Sequence, residues 1–231
     1  MHLKKNATLR VLHGKKRNHG DNMQSEQFLE NLKNHIPKEA SVLVWPLIAN
    51  FDFTLTVTKE RKTKHGDYRA PLRPNESHRI SVNGSLNPYA FLLTFIHEVA
   101  HMHAFEKYGR RIQPHGKEWK RTFRNIAKPF LKAKVWPADI TEVLNNYFLN
   151  PKASSAGDIN LTRILRKYDD NTDLYLEDLS EGSYFAVSSE DGRKFVRGAK
   201  RRTRYLCTEL ETKKIFTIHG MAKVYPIEIH E

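Results

Sequence analysis

The sequence predicts an α+β chain in which one core helix packs on a small sheet, followed by a small all-β module. Three observations carry this. Residues 88–108 form a nearly all-apolar segment with a helix start before it and a stop after it. Two segments upstream, "FTLTVTKE" and "HRISVN", alternate apolar and polar residues with the period of two expected of half-buried strands. From about Leu174 the chain changes to short β-like pieces: "YFAV", "KFVRG", "TRYLCTEL", "KKIFTIHG" and "AKVYPIEI". The expected organisation is a basic disordered arm over 1–22, an α+β domain over 23–170 and a β-hairpin module over 171–231.

In chain order, the arm is rich in charge, Gly and Asn and shows no apolar period. A short amphipathic helix follows, with Phe28, Leu29 and Leu32 apolar, and it ends at Pro37. Val42–Thr58 reads as a long β-rich run. The segment "RKTKHGDYR" (Arg61–Arg69) reads as a basic loop or hairpin tip, and His78–Asn83 as a strand. Asn87-Pro88 places an N-cap residue before a proline at the first helical position, and Gly109 supplies the stop. A helix that is apolar nearly all round belongs in the core. Helical patterns return at Lys117–Leu131, Pro137–Phe148 and Asp158–Tyr168, with a loop at Asn150–Asp158.

With 231 residues and 39% hydrophobic content, the chain can bury a real core, and no apolar run approaches a membrane span. The N-terminus is basic and lacks the apolar stretch of a secretory signal. One cysteine, Cys207, excludes a disulfide framework within this chain and points to a reducing, cytoplasmic address. The net charge of +13 is concentrated at the ends: residues 1–19 hold six Lys/Arg and no acid, and residues 193–231 hold ten Lys/Arg and four Glu. The middle of the chain is close to neutral. Basic ends with interleaved aromatics suit a polyanion, most simply nucleic acid.

His97-Glu98-Val99-Ala100-His101 is an HExxH motif. Residues four apart on a helix share a face, so His97 and His101 can grip one cation, and Glu98 stands beside it as a general base for water. Two histidines and a glutamate buried in an apolar helix would be costly without such a partner. Zn2+ is the expected ion, and it needs a third protein ligand. His103 lies about 240° round the helix from His97 and reads as a packing or surface histidine. His115, in "QPHGKEW", is the favoured third ligand because the chain turns back after Gly109; Glu118 is the competitor.

The helix "FLLTFIHEVAHMHAF", with "HGKEW" beginning fourteen positions after His101, resembles the SprT-like (Spartan/SprT) metalloproteases, as do "TVTKERKTKHGDYR" and "HRISVN". The likeness spans about Phe28 to Phe130. It departs from the metzincin pattern, which would put a glycine and a histidine at the positions of Ala104 and Lys107. The resemblance implies a zincin-like domain, zinc ligands His97, His101 and His115, Glu98 as catalytic base, and a protein substrate lying along an edge strand above the helix. It also implies action on proteins attached to DNA. Such proteins often end in a zinc ribbon, and the C-terminal module resembles one that lacks its cysteines. Cys207 and His219 cannot close a structural site, so a metal-free module held by Phe195, Tyr205, Leu206, Phe216, Ile218 and Tyr225 is expected. Tyr68, Arg69 and Arg79 are the residues considered for stabilising an oxyanion. The competing expectation is a nucleic-acid-binding, transcription-associated factor whose zincin domain is structural or weakly active. The intact Glu98 argues against it, since a structural site needs no base.

Overall fold

The computed structural model describes residues 7–11, 19–59, 64–73, 75–152, 157–170, 173–188 and 192–228, with side chains described from Gln27 onward and at Glu26. By internal contacts the chain divides into two units, Met1–Asp169 and Asp170–Glu231. The first contains a four-stranded sheet of order β1-β2-β4-β3, formed by β1 (Ala7–Val11), β2 (Phe53–Thr58), β3 (Gly66–Arg69) and β4 (His78–Asn83). Strands β2 and β4 run parallel, while β1 and β3 pair antiparallel at the two edges. Phe53, Leu55 and Val57 alternate inward on β2, and His78, Ile80 and Val82 do so on β4.

Helix α3 (Pro88–Tyr108) packs on this sheet and against α4 (Lys117–Lys132). The Asn87 side chain accepts from the amides of Tyr89 and Ala90, and Gly109 ends the helix at φ 77°. Asn87 also ties the helix start to α6 (Ile159–Arg166), its Nδ2 donating to Leu165 O at 2.8 Å and Asp169 Oδ1 at 2.6 Å. Phe91, Leu92, Phe95, Ile96 and Val99 are fully buried, and each such side chain contributes about 1.5–3 kcal/mol. Helix α5 (Ala138–Leu149) closes the helical layer against α6. Among the described residues, no helix is long and apolar enough to cross a membrane.

Three segments differ from their sequence reading. Ser41–Ile48 is helix α2, not the start of a β run. Its β-branched residues suggest a strand, but Ala40, Val44 and Ile48 recur every four residues and are the buried ones, and packing of that stripe decides the conformation. Gly66–Arg69 is an edge strand rather than a loop tip, because β4 offers it an open ladder from Gly66↔Val82 to Arg69↔Arg79. Within the expected N-terminal arm, Ala7–Val11 pairs with β2 and α1 (His19–Lys33) begins at His19. A five-residue strand recruited by a neighbour's free edge leaves little periodicity to read. Residues 1–6 and 12–18 of that arm lie outside the described residues, as do 60–63 of the basic segment and 153–156 of the loop before α6.

The second unit is an antiparallel sheet of order β5-β10-β6-β7-β8-β9, comprising β5 (Leu174–Tyr175), β6 (Tyr184–Ala186), β7 (Lys194–Arg201), β8 (Arg204–Glu209), β9 (Ile215–His219) and β10 (Lys223–Pro226). Its core is Leu176, Phe185, Phe195, Tyr205, Cys207 and Val224, with Ile218 packed beside them. Leu206, Phe216 and Tyr225 are not in that core. On β8 the inward set is Tyr205, Cys207 and Glu209, so Leu206 takes the other face, and Phe216 and Tyr225 are exposed. Reading every apolar residue as core overlooks the period of two.

Candidate metal centre

The site is made by two helices and one edge strand. Helix α3 carries His97, Glu98 and His101 in its buried middle, where His97 is 8% and Glu98 6% exposed. The chain leaves α3 at Gly109, and His115 adopts φ 58°, a left-handed conformation that turns the backbone into α4. Gly116 follows because its amide donates to Gln113 O at 2.9 Å, and a Cβ there would meet that same oxygen at 2.9 Å.

This turn brings the Nε2 of His115 to 3.1 Å from that of His97 and 2.9 Å from that of His101. Ligating atoms of the three lie within 4.8 Å of one another, and theirs is the one such group of three His, Cys, Asp or Glu side chains among the described residues. Glu118, the competing residue, is not part of it. His103 points to the opposite side, its Nε2–H donating to Leu47 O at 2.7 Å while its ring packs on Phe51.

The donor set fits a metal ion. Tetrahedral zinc with Zn–N of about 2.0–2.1 Å sets its ligand nitrogens about 3.3 Å apart, close to the separations seen. Three convergent imidazole nitrogens also carry more lone pairs than their own protons can satisfy. Burial holds His97 well below the usual histidine range, with the neighbouring His101 and His115 adding to it. Burial, then His115, lowers His101 to about 3. Burial and then Lys120 lower His115. All three rings are therefore neutral at pH 7, the state in which imidazole binds metal.

Trp119, fully buried on the inner face of α4, walls this cluster, with ring centroids 4.6 Å from His97, 5.1 Å from His101 and 4.6 Å from His115. Phe123 backs His97 at 5.3 Å. On the other side β3 closes the cleft, and Gly66 lies so near α3 that a Cβ would be 2.7 Å from Thr94 Cγ2 and 3.0 Å from Glu98 Cδ. The cleft, of about 370 Å³, opens between β3 and the loop that carries His115. Arg110 braces its rim by donating to Pro71 O and Leu72 O.

Of the three residues considered for an oxyanion, Tyr68 lines the cleft, its ring parallel to His101 at 5.9 Å. Arg69 is exposed and bonded to Asp67, and Arg79 is exposed on β4. The Tyr68 hydroxyl is 2.9 Å from His78 Nδ1, and His78 Nε2 is 3.2 Å from Glu106 Oε1. Burial lowers the His78 pKa, with Glu106 opposing. The neutral ring then donates through Nε2 to Glu106 and accepts from Tyr68 at Nδ1. This chain fixes the tyrosine that packs on His101. Sequence reasoning missed His78, Glu106 and the role of Gly66. The alternation of "HRISVN", which turns His78 inward with Ile80 and Val82, was the available signal for the first.

A sequence profile of the SprT-like family matches residues 26–142, just over half of the chain, and includes His97, Glu98, His101 and His115. No solved structure matches the chain. Its α+β architecture, with the histidine-bearing helix laid on a small sheet, is the zincin-like fold of that family. The chain belongs to the SprT-like family.

Proposed function

We propose that this chain is a zinc-dependent endopeptidase of the SprT type, with His97, His101 and His115 as zinc ligands and Glu98 as its catalytic base. Its substrates are proteins at or near nucleic acid, including proteins crosslinked to DNA. The observation that carries the reading is the convergence of three neutral imidazoles on a cleft that also holds the buried carboxylate of Glu98. Zinc held there supplies Lewis acidity, polarising a peptide carbonyl and making water acidic enough to lose a proton near neutral pH. Glu98 takes that proton on its carboxylate and returns it to the leaving amine. Gly66, packed against Thr94 and Glu98, keeps the carboxylate's side of the cleft narrow. The outer ladder of β3 lines the same cleft, and an extended polypeptide pairing there is held by its backbone with little sequence preference.

The basic segments at 1–19 and 193–231 support nucleic acid, DNA in the first instance, as the partner that brings substrates near. The single, buried cysteine agrees with a reducing compartment such as the cytoplasm.

The test compares zinc-loaded wild type with Glu98→Gln in the presence of single-stranded DNA. The expected result is cleavage of the chain itself or of a DNA-bound protein by wild type only, with equal zinc content in both. Zinc-loaded wild type that cuts neither, with any nucleic acid, sinks the reading.

A further inference from the structure

Residues 20–169 of the catalytic unit hold 23 Lys/Arg against 15 Asp/Glu, and α4 is strongly polarised. Its inner face buries Trp119, Phe123, Ile126, Ala127 and Phe130. Seven of its residues are exposed, and five of them are Lys117, Arg121, Arg124, Lys128 and Lys132; the other two are Asn125 and Pro129. The five bases recur at intervals of four, three, four and four residues. They therefore form one stripe about 22 Å long and less than a quarter-turn wide. Each successive pair is a like-charge neighbour at i,i+3 or i,i+4, an arrangement that repels. None of the five is ion-paired with a described residue. At the Lys117 end, Arg121 donates to the Tyr108 hydroxyl and lies over that ring, with Lys107 beside it, which fixes the cationic end of the stripe.

We infer that this outer face of α4 is a nucleic-acid backbone track built into the catalytic unit, separate from the basic chain ends. The inference rests on the reading that the protein works at nucleic acid, and adds where the catalytic unit itself holds it. Phosphates relieve the repulsion along the stripe, and the step between bases is comparable to the distance between successive phosphates on one strand. An acidic protein partner is the weaker fit. A protein interface draws its energy from buried aromatic and apolar anchors, and α4 exposes no large apolar side chain. A phosphate backbone needs only repeated cations. The stripe lies opposite Trp119, so nucleic acid bound there leaves the cleft open to polypeptide. Its Lys117 end begins two residues after His115, which puts an attached protein beside the rim of the site.

The experiment titrates full-length Arg124→Gln/Lys128→Gln/Lys132→Gln against a fluorescent single-stranded oligothymidylate and a duplex, over a range of salt. A charge-matched control carries Lys33→Gln/Lys38→Gln/Lys152→Gln. The slope of log Kd against log salt is expected to fall by about 2 on the single strand for the stripe variant and to hold for the control. All substituted residues are exposed, so unchanged thermal melting verifies the fold. A stripe variant with the wild-type slope overturns the inference, as does an equal fall in the control, which would mean diffuse charge. Loss of polyglutamate binding with nucleic-acid binding intact also overturns it, in favour of an acidic protein. Wild type that binds neither oligonucleotide overturns both the track and the reading beneath it, whereas binding by wild type with an unchanged stripe variant overturns the track alone.

Discussion

Gly66→Ala tests whether the edge strand sets the position of the Glu98 carboxylate. The added methyl would sit 2.7 Å from Thr94 Cγ2 and 3.0 Å from Glu98 Cδ, against a preferred carbon–carbon separation of about 3.5–4.0 Å. Something must give by about 1 Å. Either β3 lifts from α3, weakening its ladder to β4, or the Glu98 carboxylate swings away. Overpacking of this kind costs about 1–3 kcal/mol. For a unit of this size that lowers the melting temperature by about 2–4 °C per kcal/mol. Activity should suffer more, since a displacement near 1 Å in an active site can cost on the order of 100-fold. Zinc content should hold, because the atoms nearest Gly66 belong to Thr94 and Glu98 rather than to the histidines. Adding Thr94→Ser removes the Cγ2 clash and keeps a hydroxyl for the bond to Ala90 O. The double variant should therefore recover part of the lost stability, while proteolysis stays low because the Glu98 carboxylate is still crowded. Differential scanning fluorimetry, zinc analysis and a casein assay read the three quantities. A Gly66→Ala protein that melts and cuts like wild type would refute the argument.

Tyr68→Phe leaves His78 Nδ1, on a 6%-exposed residue, without its donor; stability should fall by about 1–3 kcal/mol with zinc retained, and loss of zinc would contradict the packing role given to the ring. His115→Ala should lose zinc in competition with a chelator while Glu118→Ala keeps it, and the reverse outcome would return the third ligand to Glu118. The metal-free protein should lose stability as pH falls below about 6.5. The folded-state pKa of His101 is depressed to about 3, so the unfolded chain binds the proton first. That group alone removes about 2 kcal/mol by pH 5, and thermal melting that stays flat from pH 7.5 to 5 would rule this out.

What could be read from the sequence was local. The cap at Asn87, the stop at Gly109 and the pairing of His97 with His101 depend on neighbours within one or two turns, so spacing alone carries them. The approach of His115 was legible because the loop after Gly109 is too short to leave the site. Helix α2 was not, because its buried period of four is overlaid on β-branched residues. Strand β3 was hidden by a charged, glycine-containing segment whose conformation is set by the free edge of β4. The Tyr68–His78–Glu106 chain joins β3, β4 and α3, and no local pattern specifies a contact among three elements. In the second unit the alternation on β8 was available, but the density of aromatics drew the reading to the wrong face.

The third histidine explains why the site needs α4. A non-glycine residue at φ 58° costs about 1 kcal/mol or more, and glycine at 115 would avoid that cost. The position nevertheless holds an imidazole, and its conformation is maintained by the Gly116–Gln113 turn and by Trp119 packed against the ring. Both supports lie in the turn and first turn of α4, so His115 is carried by that helix, which itself packs against α3. Two donors are thus preset on one rigid helix, while the third depends on the packing of a second helix. An ion held by all three histidines would stabilise the helix pair, and a cavity made at Trp119 would weaken its hold without touching a ligand atom. The same helix that closes the histidine cluster from inside carries the basic stripe outside, two faces of one element.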